Sequence, residues 1–224
     1  CDACSGTGQH TRVVALIQAR LGSSRFPQKV LALINGTPML QHVYDRASLI
    51  TGVDGVRIIA PVGDTFPGIC APIWRPAVEA QDVLGRYAVA ADWAQADVIL
   101  RLTGDCPLLD PDLCGTMLRN FLDSSDDRNF YSNDCRVSGY PSGLDCEIFT
   151  RALLDEAAAA ATDPADREHV TPWMKREGRC MVFFSPDFLR GPSPLKLSVD
   201  TPEDLAVVTA WRGDEPSRRQ EGHP

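Results

Sequence analysis

Residues 12–31, RVVALIQARLGSSRFPQKVL, decide the fold class of this chain. They open with an apolar run over residues 13–17, of the length and β-branched character of a buried strand. The run then breaks into a loop carrying Arg20, Gly22, Ser23, Ser24, Arg25, Pro27 and Lys29. That loop holds three cations, two hydroxyls and no acid. Open α/β sheets bind ligands where loops leave the carboxyl ends of their strands. Glycine lets a backbone approach a ligand, hydroxyls and N–H groups donate hydrogen bonds, and Arg or Lys neutralises phosphate. The loop therefore reads as a polyphosphate cradle, with a solvated basic turn as the plainer alternative. Neither common glycine-rich nucleotide fingerprint is present in it.

Downstream, the pattern alternates between strand and helix. Asn35-Gly36 marks a turn, and Thr37-Pro38 is a fair helix start. Met39, Leu40, Val43, Tyr44, Ala47 and Ile50 then recur at helical spacing, and Gly52 and Gly55 close that helix. Residues 56–60 form the next buried run. Strand, helix, strand in this order favours a parallel sheet with a right-handed crossover. Residues 61–78 are rich in Pro and Gly, with a short strand expected at 69–74. An Ala-rich helix runs from about 79 to 94 and projects Arg86 near its start, as a surface ion pair or as a nucleotide contact.

Residues 97–102, DVILRL, form another strand and feed directly into Thr103-Gly104-Asp105-Cys106-Pro107. Asp105 thus stands at the carboxyl end of a strand, in a turn set by Gly and Pro. Mg²⁺ is typically held by one or two carboxylates together with substrate phosphates and water, which suits Asp105. Capping of the next helix falls better to Asp110-Pro111. A strand at 129–133 and the segment 139–148, GYPSGLDCEI, follow. In an extended segment Asp145 and Glu147 share one face, towards a polar substrate or towards solvent. Thr150 and Asp163 cap two further helices, the second read over DPADREHVTPWMKRE. Short strands are expected at 182–184 and 195–199. Asp200, in DTPEDL, is an N-cap or a second acid that would join Asp105 at one metal ion.

The chain has 224 residues and 44% hydrophobic content, ordinary for a globular protein. A net charge of −8 argues against broad nucleic-acid or membrane-surface binding, and it makes the basic loop more informative. No membrane span or signal segment is read, which points to a cytoplasmic setting. The eight cysteines are scattered and read as free thiols. Cys1 and Cys4 have zinc-ribbon spacing but no second pair, so they are taken as a linker remnant. Residues 1–11 are read as a flexible lead-in, 12–212 as one domain and 213–224 as a disordered tail. An opening on Cys rather than Met suggests a processed chain or a piece of a longer one.

The runs QARLGSSRFPQKVL, EAQDVLGRY, RLTGDCPLLDP, YPSGLDCEIF, DREHVTPW and LSVDTPEDL, in this order, resemble the cytidylyltransferases of the spore-coat polysaccharide type. These are relatives of the 3-deoxy-manno-octulosonate, acylneuraminate and phosphonate cytidylyltransferases. The resemblance covers about residues 13–205. It implies a Rossmann-like nucleotidyltransferase fold, a three-layer α/β sandwich around a mostly parallel sheet. It implies transfer of CMP from CTP to an acidic acceptor, an ulosonic-type sugar or a small phosphonate, with release of pyrophosphate.

By that resemblance Arg20, Arg25 and Lys29 act on the triphosphate. Gly22, Ser23, Ser24, Arg86, Thr103 and Gly104 bind the nucleotide. Asp105 and Asp200 hold Mg²⁺. Asp145, Glu147, Arg167, Glu168 and His169 face the acceptor, with Arg136, Arg167 and Lys196 as candidates for its acidic group. A homodimer and fusion to another enzyme domain also follow from the resemblance. Another NTP as donor, or a non-catalytic nucleotide-binding module, are the alternatives. The departures are GDTFPGICAPIW in place of a usual acidic stretch, and Phe26 where Leu is usual.

Overall fold

A computed structural model describes residues 10–124, 129–186 and 193–211. The expected lead-in and tail fall almost entirely outside these residues.

The chain runs through β1 (Val13–Gln18), a 3-10 turn (Lys29–Leu31), the hairpin β2 (Leu33–Ile34) and β3 (Thr37–Pro38), then α1 (Met39–Ala47), β4 (Gly55–Ile59) and β5 (Ile73–Trp74). It continues with α2 (Val83–Ala94), β6 (Val98–Thr103), α3 (Pro111–Leu122), β7 (Phe130–Ser132), α4 (Cys135–Ser138), β8 (Glu147–Thr150) and α5 (Arg151–Ala160). α6 (Pro164–His169), α7 (Pro172–Glu177), β9 (Cys180–Val182) and α8 (Pro202–Ala210) complete it.

Seven strands make one sheet in the order β5-β4-β1-β6-β8-β7-β9. β1 pairs in parallel with both β4 and β6, and β4 with β5. β8 alone runs against its neighbours β6 and β7. Alternation along β1 builds both halves of the core. Val13, Ala15 and Ile17 pack with Met39, Leu40 and Val43 of α1 and Met117 and Leu118 of α3. Val14 and Leu16 pack on the opposite side with Leu84 and Tyr87 of α2 and Leu153 and Leu154 of α5. The result is the expected α/β sandwich, with helices on both faces of a mostly parallel sheet.

Several boundaries differ from the sequence reading. α1 starts directly after Thr37-Pro38, with Pro38 at its N-cap even though both residues also pair with β2, and it ends at Ala47 rather than near Gly52. α2 starts at Val83, where the Asp82 side chain accepts the Gly85 N–H. The helix expected across 164–177 is two helices, broken at the buried Val170, which sits at φ 72°. The Thr171 N–H there donates to the His169 carbonyl at 2.9 Å, a γ-turn of the strained hand. Residues 195–199 form no strand and meet the 139–145 loop at an isolated bridge, Ser142 to Lys196, beside a hydroxyl contact of 2.9 Å between Ser142 and Ser198. Thr201 rather than Asp200 caps α8, through a capping box with Asp204.

Candidate functional site

The carboxyl ends of β1 and β6 lie side by side, with Gln18 opposite Thr103. The loops leaving them form a cavity of about 250 Å³. Gln18, Thr103 and Gly104 line it together with the cations and hydroxyls of Arg20, Ser23, Ser24, Arg25 and Lys29. Arg86, Asp105, Glu168, His169 and Asp200 line it as well. Sequence-distant residues therefore converge on one cleft at a strand-end position where α/β sheets bind ligands. Gly22 shares the loop without lining the cavity.

Lys29 is the most constrained of the cations. Its Nζ donates to Asp105 Oδ2 at 2.7 Å, to the Val199 carbonyl at 2.9 Å and to Asp200 Oδ1 at 3.1 Å. The Val199 N–H donates to the Asp105 carbonyl at 2.9 Å, which brings the two acids together. Asp200 also meets Arg25 at 3.1 Å and Lys196 at 3.2 Å. Partial burial pushes the Asp200 carboxyl up, but Lys29 and Lys196 outweigh it and hold the group below its ordinary range. All three Lys29 donors are thus occupied by protein oxygens. The expected triphosphate cation is, in this structure, the bridge between the two expected metal acids.

Arg86 is not on the surface: it is 1% exposed. Its Nη2 donates to the Ala80 carbonyl at 2.8 Å, and its Nε is buried without a partner. Burial draws its pKa down, against the pull of Tyr87 and Asp82. Gln18, which sequence reasoning did not single out, also buries an unpartnered side-chain oxygen at this cavity.

A second cavity, of about 320 Å³, shares Thr103 and Asp105 with the first. Asp145, Glu147, Arg136 and Ser198 line it, with Asp134 and Lys175, two residues that the sequence did not mark. Glu147 is not a free carboxylate. It pairs with Arg101 at 2.5 Å and Lys175 at 2.7 Å, and accepts the Thr171 hydroxyl at 3.1 Å. Burial pushes Glu147 up, yet Arg101 and Lys175 hold it below the carboxylate range. A charged residue inside DVILRL was the available signal for this pair. Asp145 lies in the turn before β8, accepts the Gly143 N–H at 2.8 Å, and is raised by burial. Arg136 is tied to Asp134.

The three α6 residues expected at the acceptor do not line the second cavity. Arg167 grips Asp82 with two bonds of 2.8 and 3.0 Å and lines neither cavity. Glu168 pairs with Arg20 at 3.1 Å, and it and His169 face the first cavity. The sequence reading grouped them by adjacency, whereas the helix ending at Val170 turns Glu168 and His169 towards the cradle. Lys196 holds Asp204 and Asp200. Cys106, hydrogen-bonded to Thr103 and Asp105, is a buried thiol pushed well up by burial, so it is no thiolate nucleophile.

The family profile described as cytidylyltransferase matches residues 14–192, most of the chain and all of the strand ends just described. The chain belongs to the cytidylyltransferase family. Among solved structures, a cytidylyltransferase from Leptospira borgpetersenii superposes with a TM-score of 0.79 at 28% identity, over 89% of this chain and 86% of that one. A CMP:2-keto-3-deoxy-manno-octonic acid synthetase complexed with CTP shares the fold, with a TM-score of 0.63 at 23% identity over 89% and 98%.

Among curated members, the 8-amino-3,8-dideoxy-manno-octulosonate cytidylyltransferase of Shewanella frigidimarina is 40% identical over 106 residues, 45% of this chain and 43% of the relative. The 3-deoxy-manno-octulosonate cytidylyltransferase of Pelobacter propionicus is 37% identical over 117 residues, 50% and 45% of the two chains. The match thus spans less than half the length of these curated relatives. Among the described residues no helix is long and apolar enough to cross a membrane.

Proposed function

We propose that this protein transfers CMP from CTP to an acidic, hydroxyl-bearing acceptor, with an ulosonic-type sugar acid as the first candidate. One observation carries the reading: a basic cavity and a mixed-charge cavity meet at Thr103 and Asp105 in a chain of this family. The first cavity takes the nucleotide, with the triphosphate against Arg20, Ser23, Ser24 and Arg25 and the cytidine towards Arg86 and Thr103. The second takes the acceptor, beside Asp145 and Arg136. An acceptor hydroxyl gives its proton to water and its oxygen attacks the α-phosphorus in line; the new P–O bond forms as the bond to the bridging oxygen breaks, and pyrophosphate leaves. Arg20 and Arg25 stabilise charge on the departing pyrophosphate.

Mg²⁺ fits the donor set. Asp105 and Asp200 both reach one point, Lys29 Nζ, and an ion that draws its remaining ligands from phosphates and water needs no larger cluster. None of three or more His, Cys, Asp or Glu is present among the described residues. Asp105 and Asp200 would hold the ion, which when bound supplies charge neutralisation of the phosphate oxygens. Lys29 holds the two acids in register, with all three of its donors on protein oxygens.

Pyrophosphate release with each of the four nucleotides, against ulosonic sugar acids and small phosphonates, tests this reading. CTP with a sugar acid is the expected pair, and Asp105→Ala should abolish turnover. Turnover with UTP or GTP instead would remove the cytidylyl assignment. Nucleotide binding without release from any acceptor would leave a binding module. A preference for phosphonates would move the acceptor to that second class.

A further inference from the structure

Asp64 lines neither cavity, yet it holds the backbone of the cradle loop. Its Oδ2 accepts the Leu21 N–H at 2.9 Å. Leu21 follows Arg20 and leads into Gly22, Ser23 and Ser24. The Leu21 carbonyl in turn accepts the Ser23 and Gln28 N–H groups, each at 3.0 Å. Leu21 is therefore the residue on which the loop closes, and its own N–H is fixed by a side chain from 43 positions away.

Asp64 comes from the segment that sequence reading resolved least. A turn delivers it: the Asp64 N–H donates to the Pro61 carbonyl at 3.4 Å, with Gly63 between them at φ 96°. The segment is anchored in turn. Arg75 Nε donates to the Asp64 carbonyl at 3.0 Å, and its guanidinium lies 6.0 Å over the ring of the buried Phe66. Gln41 of α1 accepts the Cys70 N–H at 2.7 Å. The Asp64 side-chain oxygen is the acceptor for the Leu21 N–H, and an amide oxygen in the same place accepts the same bond. The loop it fixes carries Arg20 on one side of Leu21 and Ser23, Ser24 and Arg25 on the other, all of which line the cavity.

We propose that Asp64 is a positioning residue for phosphate binding: by holding the Leu21 N–H it sets the 20–25 loop with its cations and hydroxyls facing the nucleotide cavity. This rests on the cytidylyltransferase reading only for the identity of the nucleotide. Inorganic tripolyphosphate probes the cradle without a base.

The test compares dissociation constants for CTP and for tripolyphosphate in the unaltered protein, Asp64→Ala and Asp64→Asn, with melting temperatures alongside. Asparagine keeps an acceptor oxygen and alanine does not. Asp64→Ala should weaken both ligands in parallel by about tenfold or more, because small displacements of positioning groups are costly, while Asp64→Asn stays within about threefold. In turnover, KM for CTP should rise more than kcat falls. Gly63→Ala keeps the Asp64 carboxylate but strains the turn that delivers it, and its Cβ meets open space, so it should fold and also weaken both ligands.

Unchanged binding in Asp64→Ala or Gly63→Ala would overturn the proposal. So would an Asp64→Asn as weak as Asp64→Ala, which would assign the effect to charge. A loss for CTP alone would assign it to Arg86 and the base. An unaltered protein that binds tripolyphosphate but not CTP would sink the cytidylyl reading and leave the Asp64 comparison intact. Binding of neither would overturn both.

Discussion

Lys29 Nζ lies 2.7 Å from Asp105 Oδ2, and the same nitrogen reaches Asp200 at 3.1 Å. One cation from the loop after β1 thus joins an acid at the end of β6 to an acid that follows Val199. Without it, two half-buried carboxylates would face each other, with Arg25 and Lys196 left as counter-charges to Asp200. Lys29→Met should lower stability by about 1–3 kcal/mol, the cost of partly buried polar groups left unpaired. It should also lower pyrophosphate release by about 10²-fold or more, as loss of a preorganised charge at a reacting phosphate does. Urea unfolding and the release assay read the two effects separately, and turnover within about tenfold of the unaltered protein would remove Lys29 from the machinery.

Glu147 illustrates a buried pair. Its removal as Glu147→Ala leaves the Arg101 guanidinium in the sheet with Lys175 close by and no acid to meet it. Breaking such a pair costs about 3–5 kcal/mol, whereas replacing both partners costs far less. Equilibrium unfolding should therefore find the double variant Arg101→Met with Glu147→Leu more stable than Glu147→Ala alone.

The same residue sets a pH dependence. The folded-state pKa of Glu147 is depressed, because Arg101 and Lys175 outweigh its burial. The unfolded chain therefore takes up the proton first, at about pH 4.3. The stabilisation is fully present above about pH 5 and is lost as pH falls through the unfolded value and then the lower folded one. Asp200, also depressed, adds a contribution of the same sign. Unfolding free energies measured from neutral to acid pH should fall more steeply for the unaltered protein than for Glu147→Gln. Parallel curves would contradict the assignment.

Arg86 should separate stability from binding. A buried guanidinium with an unpartnered Nε is an expensive way to fill space. Arg86→Met should leave the melting temperature unchanged or raise it, while weakening CTP by about tenfold or more. A variant that binds CTP normally would make Arg86 a packing residue only.

Gly143 sits where two backbones nearly touch. A Cβ there would stand 2.3 Å from the Leu197 carbonyl carbon, and φ is 102°. Leu197 N–H donates to the Ser142 carbonyl at 2.6 Å, and Lys196, Ser198 and Asp200 follow the same stretch. Gly143→Ala should cost about 1–3 kcal/mol or more from backbone strain, and it should impair turnover by displacing Asp200. Thermal melts and the release assay would report both, and a variant indistinguishable in either would show that the stretch can yield.

Local chemistry in the sequence determined much of this protein. Residues 13–17 read as a strand because an unbroken apolar run needs two covered faces, and β1 has them. Asp110, Thr150 and Asp163 cap helices where the sequence placed them, because a cap needs only its own next few N–H groups. The cations and hydroxyls of the cradle loop and Asp105 were legible for a similar reason: each stands directly after a strand.

Tertiary structure alone decided which charges meet. Lys29 could reach phosphate or carboxylate, and the bridge is set by the Val199–Asp105 backbone contact across the fold. Adjacency joined Arg167, Glu168 and His169 in the sequence, but the helix geometry sends Arg167 to Asp82 and Glu168 to Arg20. Asp64 lay in the stretch with no periodicity, where side-chain destinations depend on turns and anchors rather than on local pattern. Propensity and capping act over a few residues and can be read in order. Ion pairs between residues tens of positions apart depend on the relative placement of strand ends, which only the packed sheet supplies.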